Sequence, residues 1–574
     1  MKKTANVIIT AIITMLYVSN AFAVPAKRIR ITTKQSDGTE LIVSQRGDEH
    51  FHYFVTEDEL PLVKTSNGDF YHAIVKDGNI TASAIMAHNS SQRTEQERVF
   101  IAQRDDISAK ISNIHSTKVK LRNEERACNI VKTRAGGEYR YEGEKRGLVI
   151  LVNFQDNAFT IPSPKRHYER MLNEKGYSEN GCHDCVAQYF NEQSKGMFKL
   201  TFDVAGPYTL SRNMAYYGGN NSSGSDKNPQ AMIMEACKLA SADVDYSAYD
   251  WFNDGYVDMV FVVYAGYGEA QGGAADTVWP HQWELGMSQP TYNEKKINIY
   301  ACSNELAEGS GYIPDGIGTF CHEFSHCLGL PDFYDTDGKA FGMAKWSLMD
   351  YGTYLGEHTR GECPCNYTTY ERWSCGWSTP TELTTAATID GMNSLDNGND
   401  GYIIFNDAYN DEFFVLDNRQ KQGWDSYLPG HGLLITHVDY NKDAWFYNIV
   451  NTNISHQRCT VVHADNSTNS LAGDTYPGKT GNTEFTDTST PAAHLFNENT
   501  DGRKYLGKPI TDISESQDGL ISFKFMGGTE NAINGVTYNS DNSTEISADY
   551  RQLLPKGIRL RQHNDKTIKI IDKK

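Results

Sequence analysis

Long hydrophobic runs are what this 574-residue chain has least of. Residues 7–17 form the one strongly apolar stretch, which excludes a polytopic helical membrane protein. Basic residues are also scarce: 54 Lys and Arg stand against 73 Asp and Glu, a net charge of −19. So acidic a chain repels phosphate backbones, and nucleic acid is not expected as a partner. No G-x-S-x-G occurs, which leaves a serine hydrolase little support. Internal repeats and long low-complexity segments are absent. Cysteines number 11, an odd count that leaves at least one thiol unpaired within the chain. Cys182-x-x-Cys185 and Cys363-x-Cys365 lie too far apart for a zinc ribbon, so local disulfides or free thiols are expected there.

What is present suffices for large cores: 39% hydrophobic residues, including 33 Tyr, 24 Phe and 8 Trp. At about 150 residues per domain the length allows three to four domains. The N-terminus joins two lysines, the short apolar run and Ala21-Phe-Ala23, the three parts of a secretory signal peptide. Cleavage after Ala23 frees Val24. A secreted protein, extracellular or at the cell surface, is expected, with no transmembrane segment.

Strand-like segments at 29–32 and 41–43 open the next region, and 91–126 turns polar and charged, an exposed helix or linker. A buried strand is expected at 147–154, helices around 164–175, 185–195 and 229–242, and strands at 198–210 and 256–264. Such a mixture indicates an α/β or α+β catalytic domain. From about residue 379 to 526, short strands alternate with Gly, Asn, Asp and Pro turns, which suggests a β-sandwich.

The chemistry concentrates in Cys321-His-Glu-Phe-Ser-His-Cys-Leu-Gly-Leu-Pro-Asp332. On a helix His322 and His326 share a face one turn apart and can grip one tetrahedral Zn²⁺. Phe320, Phe324 and Leu328 form a second stripe that can pack on the core. Glu323 sits where it can take a proton from zinc-bound water. Gly329 permits a sharp turn and Pro331 resists renewed helix, so Asp332 can swing back as third ligand. Glu357 or Glu362 is the alternative third ligand.

Trp346-Ser-Leu-Met-Asp-Tyr351 follows, and here the sequence resembles the metzincin clan of zinc peptidases. His322, Glu323, His326, Gly329 and Asp332 match the clan's motif position by position. Met349 fits its Met-containing turn. The resemblance gives Tyr351 a role at the oxyanion; a packed aromatic is the plain alternative. Further segments resemble the immune inhibitor A family within that clan. They include Gly47-Asp-Glu-His-Phe-His-Tyr-Phe54, Asp254-Gly-Tyr-Val-Asp258, the run from Val262 to Glu269, Val278-Trp-Pro-His-Gln-Trp283, Asp417-Asn-Arg-Gln420 and Gly430-His-Gly-Leu-Leu434.

That resemblance implies a zinc endopeptidase acting on proteins or peptides, made as a latent precursor and expected to be a monomer. Residues and resemblance together lead to the expectation of a signal peptide at 1–23, a β-rich pro-segment at 24–127, a metzincin-like catalytic domain at 128–378, a β-sandwich at 379–526 and a small C-terminal module at 527–574. The last resembles a secretion sorting signal. Cys128, or an acidic residue of 24–127, is a candidate for holding the precursor inactive. Calcium is a second candidate metal at Asp250, Asn253, Asp254 and Asp258, although Trp251 and Phe252 interrupt the run of oxygen ligands. The non-enzymatic alternative is a secreted surface-binding protein with a vestigial zinc site.

Overall fold

Alternating apolar and polar residues build the first sheet. Six strands, from Ile31–Lys34 to Asn79–Met86, pair antiparallel in sequence order. The computed structural model describes residues 24–528, apart from 49–50, 66, 77, 104–106, 108–109, 112–113, 115–140, 222–223, 308–310 and 337–339, and beyond them the strands 532–534, 559–563 and 567–571. The signal-peptide residues and Cys128 therefore lie outside the described residues.

The polar stretch after the first sheet is not simply an exposed linker. It contains the helix Glu95–Gln103, and Ile107, Ile111 and Ile114 are buried against Phe51 and Ala73 of the sheet. Their four- and three-residue spacing is a helical face, diluted in sequence by the charges around it.

The second sheet is mixed. Its strand order is His281–Glu284, Ile299–Leu306, Val260–Tyr267, Gly143–Asn153 and Phe198–Thr209. The last four run parallel and the first is an antiparallel edge. Leu148–Val152 of the strand Gly143–Asn153 and the run Val260–Ala265 are continuously apolar and buried because the sheet is covered on both faces. Helices Pro164–Asn173 and Val186–Gln193 contribute to the core on one side, with Gly318–Cys327. Helix Pro229–Ala240 covers the other.

Two further sheets follow. One has five strands, ordered 381–382, 402–406, 409–419, 432–439 and 459–461; the other has four, 510–515, 521–525, 387–392 and 532–534. Ile404, Phe414 and Leu433 of the first share a core with Ile389, Ile521 and Phe523 of the second. The opposite face of the five-stranded sheet, through Ile403, Phe413, Val415 and Leu434, joins the core that holds Phe320 and Phe324. Strand Gly432–Asp439 is consequently buried along its whole length. The chain is thus mixed α/β, with several sheets and few helices.

Arg419 ties these sheets to the loop before residue 347. Its guanidinium makes two 2.7 Å hydrogen bonds to Asp425 and donates to the Trp346 carbonyl at 2.9 Å. Among the described residues, no helix is long and apolar enough to cross a membrane, and ten cysteines are unbridged. Residues 536–574 form a separate unit, described as one antiparallel hairpin of Arg559–His563 with Thr567–Ile571.

Candidate metal centre

Helix Gly318–Cys327 is seated by its aromatic stripe. Phe320 stacks on Phe261 with centroids 3.8 Å apart, and Phe324 packs on Phe190 and Phe202. At its start, a Cβ on Gly318 would lie 1.9 Å from the Thr353 carbonyl oxygen, so only glycine allows this close approach to the 351–354 turn. At its end, Gly329 adopts φ +93°. Leu330 N–H bonds Ser325 O and Gly329 N–H bonds His326 O, a Schellman closure that turns the chain sharply.

That turn carries Asp332 back to the histidines. The ligand atoms of His322, His326 and Asp332 all lie within 4.8 Å of one another, the one group of its kind among the described residues. His322 Nε2 is 3.0 Å from His326 Nε2 and 3.1 Å from Asp332 Oδ1, and His326 Nε2 is 3.3 Å from that oxygen. Each Nδ1 faces a carbonyl, that of Leu348 at 2.8 Å and that of Leu330 at 2.7 Å. A carbonyl oxygen only accepts, so each Nδ1 carries its hydrogen and each Nε2 is turned inward. Two such nitrogens and a carboxylate oxygen demand positive charge between them, whether protons or a metal ion. The donor set fits Zn²⁺, with three protein ligands and room for a fourth. Asn448 Nδ2 holds the other Asp332 oxygen at 2.6 Å, the outer support such ligands need.

The electrostatics follow the burial. Burial opposes ionisation of Asp332, but the charges and hydrogen bonds of His326 and His322 outweigh it and hold its carboxyl at about 2. Burial pushes His326 down against the pull of Asp332, and pushes Glu323 well above the usual carboxylate range.

Met349 is fully buried, and its turn supplies the Leu348 carbonyl that fixes His322. Tyr351 lies beyond it with its hydroxyl accepting from Arg28 Nε at 3.2 Å. Glu362, the alternative ligand, instead accepts from the N–H groups of His358 and Arg360 in its own loop.

The residues that sequence reasoning missed come from far along the chain. Val24 N–H donates to Glu323 Oε1 at 2.8 Å. Trp279 Nε1 bonds the Val24 carbonyl, Tyr354 hydroxyl bonds the Pro25 carbonyl, and Lys27 N–H bonds the Ala270 carbonyl. Residues 24–28 thus meet this helix at Glu323, and the histidine face is as buried as the aromatic one.

The calcium candidates have other partners. Asp250 accepts from the main chain of Asp254 and Gly255 and pairs with Lys295 Nζ at 2.8 Å. Asp258 accepts from Trp251 N–H, and its carboxyl is raised to about 7 by burial. An ammonium and a set of N–H donors do not fit a site that needs six to eight oxygens.

His322, Glu323 and His326 on one helix, with Asp332 returned by the glycine turn, make a donor set of the kind a metallopeptidase centre uses. Residues 148–377 match the family model described as the Immune inhibitor A peptidase M6, catalytic domain. The chain is similar to Immune inhibitor A of Bacillus thuringiensis subsp. alesti, 29% identical over 270 residues, covering 40% of this chain and 39% of the relative. It is also similar to Pre-pro-metalloprotease PrtV of Vibrio cholerae serotype O1, 28% identical over 259 residues, covering 38% and 28%. The segment that carries the site is therefore of the immune inhibitor A type. The matched region spans well under half the length of these relatives.

Proposed function

We propose that the chain is the precursor of a secreted zinc-dependent endopeptidase that hydrolyses peptide bonds of extracellular proteins. The carrying observation is the convergence of His322, His326 and Asp332 beside Glu323. Zn²⁺ held by these three residues supplies Lewis acidity toward the scissile carbonyl and toward water. Glu323 takes the proton of the attacking water on its carboxylate and returns it to the departing amine. Tyr351 donates its hydroxyl to the developing oxyanion once Arg28 has withdrawn.

Residues 24–127 act as the pro-segment, 128–378 as the catalytic domain and 379–526 as the β-sandwich, in keeping with the sheets that each range holds. The 24–28 stretch supports latency: it lies on the general base and fills the space substrate needs. If the leader is cut after Ala23, the nitrogen that meets Glu323 is the chain's own amino terminus. The name of the Vibrio cholerae relative, a pre-pro-metalloprotease, is consistent with a precursor.

The test is cleavage of unfolded protein by the processed enzyme, with and without chelator, beside Glu323→Ala, with metal content measured in parallel. Zinc near one per chain, chelator-sensitive cleavage and an inactive, zinc-loaded variant are expected. Cleavage that survives chelator, or full activity in the variant, sinks the reading.

A further inference from the structure

Beside the 24–28 stretch lies a second cluster that the metal chemistry does not use. His52, the first residue of strand His52–Thr56, reaches from the N-terminal sheet into a recess of the catalytic segment. Gly47, at φ +104°, approaches it so closely that a Cβ would lie 2.0 Å from the Phe51 carbonyl oxygen. In the recess His52 Nε2 sits 2.9 Å from Glu269 Oε1, and its ring stacks on Trp279 with centroids 4.9 Å apart.

The geometry makes this imidazole a cation. Its Nδ1 faces the Asp48 carbonyl at 3.1 Å and its Nε2 faces the Glu269 carboxylate. Asn220 Nδ2 also lies 3.2 Å from Nε2, but its hydrogen goes to Glu269 Oε1; the two acceptors, Asp48 carbonyl and Glu269 carboxylate, each take a hydrogen from the ring. A carboxylate beside an aromatic face is the usual way to hold a positive side chain. Asn220 Nδ2 donates to the same Glu269 oxygen at 3.0 Å and fixes it.

The recess also retains buried carboxyl oxygens left unanswered among the described residues. Glu269 is 3% exposed, yet among the described residues its Oε2 has no hydrogen-bond partner, and neither has Asp226 Oδ1. Asp226 itself is anchored through Oδ2 to Trp279 N–H at 3.0 Å. Burial and the neighbouring Glu269 push the Asp226 carboxyl well above its usual range. Trp279 links this recess to the cleft, because its indole N–H holds the Val24 carbonyl while its ring carries His52. Lys27 points to the same complementarity, since its charge favours the buried Asp315 carboxylate on that wall.

We propose that Glu269, with Trp279 as platform and Asp226 behind it, is a specificity-determining subsite that takes a Lys or Arg side chain of the protein substrate, and that His52 occupies it in the precursor. The proposal rests on the endopeptidase reading above and names the substrate class. When the pro-segment leaves, His52 leaves with it, and Glu269 faces the cleft without a counter-charge. A basic side chain a few residues from the scissile bond restores one.

The test uses precursor activated by limited proteolysis and matched peptides with Lys or Gln at each position around the scissile bond. At one position kcat/KM for the Lys peptide should exceed that for the Gln peptide by about ten- to a hundredfold, the scale of a hydrogen bond to a charged group. In Glu269→Gln that ratio should fall to about one, and Glu269→Lys should invert it toward a Glu peptide. A ratio near one at every position in the unmodified enzyme, or an unchanged ratio in both variants, overturns the proposal. Chelator-insensitive cleavage would instead overturn the endopeptidase reading.

A second measurement needs no activity. In the full precursor, amide exchange at Ala26 and Lys27 should quicken about tenfold or more in His52→Gln and much less in His52→Lys, since one keeps the charge and the other does not. Equal exchange in the two variants would show that the recess does not read charge.

Discussion

Val24 N–H and Glu323 Oε1 meet at 2.8 Å across 299 residues of sequence. On the proposed reading, the group that receives a proton from water is instead a hydrogen-bond acceptor for residue 24, where the proposed pro-segment begins. Around this contact Val24 is fully buried with Ala26, Ala270, Trp279 and Tyr354. Removing residues 24–28 should therefore yield a precursor that cleaves unfolded protein without processing. A deletion that stays as silent as the intact precursor, while remaining folded, would locate the block elsewhere.

Tyr351→Phe in the processed enzyme should lower kcat by about 10²-fold with little change in KM, the loss expected when one oxyanion donor is removed. Steady-state kinetics on a single peptide separates the two constants. An unaltered kcat would return Tyr351 to the role of a packed aromatic, partnered by Arg28 in the precursor alone.

The pro-segment should be held most firmly near neutral pH and below. His52 lies between Glu269 and Asp48; burial opposes its protonation, but Glu269 and the Asp48 contacts leave its pKa raised. His88, between Glu97 and Asp37, is raised in the same way against burial. A raised imidazole stabilises the folded form fully below its ordinary value near 6.5 and loses that contribution as pH climbs through the higher folded value. Glu97 acts oppositely: burial resists its ionisation, His72 and His88 win, and its depressed value makes its contribution disappear on acidification. Exchange of the pro-segment amides followed upward from the ordinary imidazole value near pH 6.5 should accelerate with pH beyond the intrinsic base-catalysed trend. A flat corrected rate would count against both histidines.

Asp425→Ala should destabilise the protein by about 3–5 kcal/mol, because it strands the fully buried Arg419 guanidinium. Arg419→Met combined with Asp425→Leu should be much less harmful, since neither charge then stays behind. Denaturant unfolding of both variants decides it, and equal losses would mean that the pair serves chiefly as packing.

How much of this could be read beforehand depended on distance along the chain. His322, Glu323, His326, Gly329 and Asp332 fall within 11 positions, so helix geometry and one glycine turn suffice to place them together. The apolar runs at Gly143–Asn153 and Val260–Tyr267 announced buried strands for the same local reason. His52, Glu269 and Trp279 sit in three separate segments and carry no shared period. Their neighbours hinted only that the stretches resembled a family, not that they meet. Ile107, Ile111 and Ile114 were hidden by intervening charge, which composition averages without regard to which side of a helix it occupies.

The five-stranded sheet with apolar material on both sides has a bearing on how this chain can be trimmed. A cut near residue 379 would strip the peptidase half of a wall and lay bare Phe413, Val415 and Leu434 to water. Neither fragment would be left with a wettable surface at the break. On the proposed reading, processing can therefore prune the chain's beginning, whereas parting the chain at this seam would expose two apolar faces prone to aggregation.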